Sequence, residues 1–109
     1  MAGMGYMVIA SYRPKQGKEQ ELLPLVRDHV PRLRKEGLVT ERRPLVLRAK
    51  DGTLLEIFEW VSKEAVDKAH TNPAVLKMWE EFGAVCDYEK LANLAESQDL
   101  FAHFEAVDL

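Results

Sequence analysis

Three histidines, one cysteine and two tryptophans carry most of the chemistry available to this chain, and their spacing limits what that chemistry can be. His29, His70 and His103 stand far apart in sequence and Cys86 has no close partner, so no group of residues has metal-ligand spacing and no metal is expected. A neutral imidazole exchanges protons near physiological pH, which makes each histidine an acid–base candidate. His29 falls on an apolar helical stripe and reads as a satisfied, semi-buried residue, and His103 stands alone on a terminal strand. His70 follows a short helix, where capping a chain reversal and acid–base work suit it equally well. Trp60 and Trp79 sit where large aromatics usually form core. Cys86, on another apolar stripe, reads as packing. No G-x-S-x-G, P-loop or dinucleotide fingerprint occurs, so serine hydrolysis, nucleotide hydrolysis and nicotinamide chemistry have no local support.

The elements that must position these residues follow from periodicity. Tyr6 to Arg13 alternates with apolar residues on both faces and predicts a strand. Pro14-Lys15-Gln16-Gly17 ends it, and a helix is predicted from about Lys18 to Glu36. Leu22, Leu25, Val26, His29, Val30 and Leu33 form its stripe, and Gly37 its C-cap. Pro31 predicts a kink. Arg43 to Lys50 and Thr53 to Val61 flank Asp51-Gly52, a hairpin signal. On the second of these strands Leu54, Phe58 and Trp60 share one face with Glu56, and Leu55, Ile57 and Val61 share the other with Glu59. Ser62 caps a short helix through Ala69. Asn72-Pro73 opens a longer helix through about Leu91, with Val75, Trp79, Phe82 and Cys86 as its stripe. Ala92 to Asp99 reads as loop, and Leu100 to Val107 as a last strand.

The order β-α-β-β-α-β predicts an α+β, ferredoxin-like domain over residues 1–109, with one four-stranded antiparallel sheet and both helices on one face. The opposite face then carries uncovered apolar side chains, more than a soluble monomer usually exposes. A homodimer with the two sheets face to face covers it. The composition, 47% hydrophobic and 30% charged at net charge −3, is that of a globular protein with no electrostatic footprint for nucleic acid or an anionic membrane. The apolar start, Met1 to Ala10, is too short for a signal or membrane segment, and one cysteine suits a reducing compartment, so a cytoplasmic location is expected.

Glu59-Trp60-Val61-Ser62-Lys63-Glu64-Ala65, followed by His70 and then Asn72-Pro73, resembles the corresponding run of the antibiotic biosynthesis monooxygenase-like family. Arg13-Pro14-Lys15-Gln16-Gly17-Lys18 is similar to that family's first strand-to-helix turn, and Arg34 to Leu38 to its glycine-ended first helix. The likeness runs from about Tyr6 to Phe82. It implies a dimeric α/β barrel with a ligand cavity between sheet and helices in each protomer. It also implies activities from cofactor-free oxidation of aromatic polyketides and quinols to haem degradation. The haem-degrading branch needs an asparagine, a tryptophan and an iron-ligating histidine where this chain has Ala10 or Ser11, His70 and Glu80, which disfavours that activity. What remains is a small cofactor-independent monooxygenase acting on an aromatic or quinone-like molecule. Trp60, Trp79, Phe82 and Phe58 would line its cavity, His70 would be the catalytic base, and Tyr12 or Arg48 would orient an anionic substrate. The alternatives are a non-catalytic small-molecule binding protein and a dimerisation module of the same fold.

Overall fold

The computed structural model describes residues 5–109. Its elements are β1 (Tyr6–Pro14), α1 (Glu19–Lys35), β2 (Leu45–Arg48), β3 (Leu54–Trp60), α2 (Lys63–Ala69), α3 (Pro73–Val85), β4 (Cys86–Tyr88) and β5 (Glu105–Ala106), with two short 3₁₀ turns at Leu91–Asn93 and Ala95–Gln98. The strands form one antiparallel sheet in the order β4-β1-β3-β2-β5.

The local signals act as their chemistry requires. Gly37, at φ 72°, ends α1 in a Schellman motif: its N–H donates to the Arg34 carbonyl, and the Leu38 N–H donates to the Leu33 carbonyl. Leu33 and Leu38, the apolar pair that accompanies this motif, are both buried. The β2–β3 hairpin closes through Lys50-Asp51-Gly52, with the Ala49 N–H bonded to the Thr53 carbonyl at 2.8 Å and Gly52 at φ 92°. Ser62 Oγ accepts from the Ala65 N–H to cap α2, and Asn72 Oδ1 accepts from the Ala74 and Val75 N–H groups to cap α3.

One face of the sheet packs against the helices. Leu54, Phe58 and Trp60 from β3 and Tyr12 from β1 meet Leu22, Val26, Val30 and Leu33 of α1 and Val75, Met78, Phe82 and Val85 of α3. Arg32 and Glu81 join α1 to α3 through paired hydrogen bonds of 3.0 and 3.1 Å. The opposite face is half covered, because Leu55 and Ala49 pack with Leu94, Leu47 and Phe104 from the C-terminal segment and β2. Ile9, Ile57 and Leu45 lie side by side across β1, β3 and β2 on that same face, and Ile9 and Leu45 are 47% and 60% exposed.

Three expectations are revised. The sheet has five strands, not four. The last helix stops at Val85 instead of about Leu91, because Cys86–Tyr88 pairs with the open edge of β1 and Lys15 N–H bonds to the Val85 carbonyl. The ladder hydrogen bonds formed on that edge outweigh helical periodicity, and Cys86 becomes a strand residue. The expected terminal strand from Leu100 to Val107 shrinks to Glu105–Ala106 against the four-residue β2, leaving Leu100 91% and Phe101 74% exposed. His103 therefore lies outside any strand.

Candidate functional site

A cavity of about 320 Å³ opens between the helical face of the sheet and the three helices. Its floor is Val8, Ala10 and Tyr12 of β1 with Phe58 and Trp60 of β3, alternate residues that the pleat turns to one side. His29 of α1, Trp79 and Phe82 of α3, His70 at the end of α2 and Tyr88 of β4 complete the wall. The size lies within the range of small-molecule sites, and the lining is almost wholly apolar with a few polar atoms, as such sites require. A larger hollow of about 460 Å³ beside Arg34, Arg43 and Leu109 is more polar. Among the described residues, none of the buried side-chain atoms that lack a hydrogen bond belongs to its wall.

The aromatic wall is a connected set. Phe58 and Trp60 have centroids 5.5 Å apart, and His29 meets Phe58 and Phe82 edge-on at 5.3 and 5.0 Å. Tyr12 meets Phe82 at 5.1 Å and Tyr88 at 5.8 Å. His70, exposed and forming the C-cap of α2, sets its ring edge-on to Trp79 at 5.1 Å. It is thus both the capping residue and a member of the cavity wall.

Behind this wall lies a polar cluster among buried residues. Glu56, with no exposed surface, receives two hydrogen bonds on one oxygen: Tyr12 Oη donates to Oε1 at 2.8 Å, and His29 Nδ1 lies 2.7 Å from the same atom. Burial first, and the Glu56 charge second, raise the Tyr12 hydroxyl well above its ordinary value, so the phenol keeps its proton and serves as a donor. Burial likewise pushes the Cys86 thiol up to about 11. Cys86 is therefore a packed, protonated thiol and no nucleophile.

Six of the seven residues expected at a site come together: Trp60, Trp79, Phe82, Phe58, Tyr12 and His70 all line the cavity. Arg48 does not. Its guanidinium pairs with Glu105 at 3.3 Å and Glu19 at 3.6 Å, away from the cavity wall. Tyr12 contributes its ring to the wall while its hydroxyl is engaged with Glu56, which leaves neither residue free to orient an anionic substrate. His29 and Glu56 were not expected at the site. Their signal was a carboxylate on the apolar face of β3 and a histidine on the apolar stripe of α1, two buried polar residues that could satisfy each other. No cluster of His, Cys, Asp and Glu among the described residues forms a metal site, and no described helix is long and apolar enough to cross a membrane.

The chain is similar in structure to PA3566 from Pseudomonas aeruginosa, with a TM-score of 0.59 at 17% sequence identity, over 87% of this chain and 99% of that one. At that identity the likeness shows an α+β fold in common and carries no chemistry with it. No protein-family model matches the chain, and no curated protein does.

Proposed function

We propose that the protein is a small cofactor-independent monooxygenase acting on an aromatic or quinone-like molecule, held in the cavity between sheet and helices. The observation that carries this reading is the cavity itself, about 320 Å³ and walled by Tyr12, Phe58, Trp60, Trp79 and Phe82, with imidazoles at His29 and His70. Flat aromatic walls suit a flat aromatic guest and exclude water from it. An imidazole can take a proton from such a guest, leaving an electron-rich anion that reacts with dioxygen. In the overall reaction an activated methylene becomes a carbonyl: one oxygen atom enters the substrate, and the other leaves as water with the two hydrogens lost.

The strand order β4-β1-β3-β2 with helices on one side supports a ferredoxin-like arrangement, extended here by β5. The row Ile9, Ile57 and Leu45, with its two outer members exposed, supports a homodimer built sheet to sheet. A cytoplasmic setting accords with the single buried thiol.

Protein-dependent oxygen uptake with anthrone, yielding anthraquinone, is the expected result in an oxygen-electrode assay. Binding of anthrone without uptake would instead favour a carrier. That second reading draws on the same wall, whose polar atoms are few. Absence of binding by both anthrone and 1,4-naphthohydroquinone would remove the ligand site altogether and leave a dimerisation module.

A further inference from the structure

His29 is 4% exposed, and its two ring nitrogens meet different surroundings. Nδ1 lies 2.7 Å from Glu56 Oε1, and a carboxylate oxygen can only accept, so Nδ1 carries a hydrogen. In the neutral ring Nε2 then holds the lone pair. Nε2 is buried and has no protein partner among the described residues. His29 is part of the cavity wall and Glu56 is not, and Nε2 itself is shielded from water. An unpaired buried acceptor is unfavourable, and a guest carrying a hydroxyl group would relieve it.

We propose that His29 is the proton acceptor for the hydroxyl of a phenol or hydroquinone bound in the cavity, with Glu56 and Tyr12 as positioning residues behind it. The inference rests on reading the cavity as an aromatic-ligand site, and it moves the base from His70 at the mouth to His29 within. The O–H bond of the guest breaks, an N–H bond forms at Nε2, and the electron pair stays on the guest as phenolate. The imidazolium so formed lies against the Glu56 carboxylate, so the buried protein pair passes from a net charge of −1 to zero, whereas an isolated imidazolium in an apolar wall would be an uncompensated charge. Tyr12, held as a neutral phenol, fixes the carboxylate and competes for no proton. The titratable groups in contact with the His29 side chain are Tyr12 and Glu56, and Tyr88 and His70 share the cavity wall. Because the acceptor is a neutral nitrogen backed by a carboxylate, the favoured guests are uncharged hydroxyarenes, not aryl carboxylates.

The test uses 4-nitrophenol, whose phenolate absorbs in the visible while the phenol does not. Bound to the full chain, its ionisation midpoint should fall by about one pH unit or more, a tenfold change in its acid constant. In His29→Gln, which keeps a hydrogen-bonding group of similar reach but no base, the bound probe should titrate like the free one. Glu56→Gln, an isosteric change, should abolish most of the tenfold difference and serves if His29→Gln does not fold. Binding without any shift in the wild-type protein, or the same shift in a folded His29→Gln or Glu56→Gln variant, would overturn the proposal while leaving the cavity reading intact. Failure of 4-nitrophenol and 1-naphthol to bind at concentrations on the order of millimolar would overturn both.

Discussion

Glu56 Oε1 gathers two hydrogen bonds from opposite walls of the core, from Tyr12 on β1 and His29 on α1, and each can be tested singly. Tyr12→Phe keeps the ring in its aromatic contacts and deletes only the donor. The expected loss is about 1–3 kcal/mol, read as a lower urea midpoint at unchanged slope, since a hydrogen bond to a buried charged acceptor is removed. A second expectation concerns alkaline stability. Burial holds Cys86 at about 11 against an ordinary 9.0, and it also raises Tyr12. Both groups therefore hold their protons longer folded than unfolded, so the unfolded chain binds fewer protons above about pH 9. Stability is full below that point and declines as pH rises toward about 11. Urea titrations at about pH 8 and about pH 10.5 should show the decline, and Cys86→Ala should delay its onset. The apolar members of the site were legible because Phe58, Trp60, Trp79 and Phe82 sit at positions where strand and helix periods force them inward. The His29–Glu56 pair was not, because each residue alone looks like a tolerated exception on an apolar face, and only the tertiary approach of α1 to β3 joins them.

The elements that hold the cavity open depend on two chain reversals. Asn72 caps α3 with its side-chain oxygen and reaches Glu36, just past α1, with its amide nitrogen at 3.0 Å. It thereby ties the start of the helix bearing Trp79 and Phe82 to the end of the helix bearing His29. Asn72→Ala should cost about 1 kcal/mol, measurable as a lower melting temperature, with weaker binding of any cavity ligand. The start of α3 was readable from Asn72-Pro73, and so was the turn at Gly37, because each signal is a local rule with a single physical cause. The end of α3 was not: Val85 to Tyr88 carries no proline or glycine stop, and the strand exists only because β1 offers it an unpaired edge. The same limit applies to Leu100 to Val107, whose alternation suggests a full strand, although just two of its residues find a partner on the short β2.

For the whole molecule the question is what covers the second face of the sheet. The C-terminal segment covers the end of that face around Leu55 and leaves Met7, Ile9 and Leu45 exposed, with Ile57 half-buried between the last two. A second copy packed on this row predicts a dimeric mass by light scattering at micromolar concentration. Ile9→Glu should convert it to monomer without altering the far-ultraviolet circular dichroism, because burying an unpaired carboxylate in an apolar interface is strongly unfavourable. A monomeric wild-type protein would contradict the sheet-to-sheet assembly. The face would then be one this chain tolerates exposed.

Oxidation, carriage and the proton transfer to His29 all require the cavity to be a ligand site, and nuclear magnetic resonance reads that most directly. In a ¹H–¹⁵N titration with 1-naphthol, the indole N–H signals of Trp60 and Trp79 and the ring nitrogens of His29 should move together and saturate along a single binding curve. Shifts confined to Met7, Ile9 and Leu45 on the opposite face, or no saturable shift at the two indoles, would contradict a ligand site between sheet and helices.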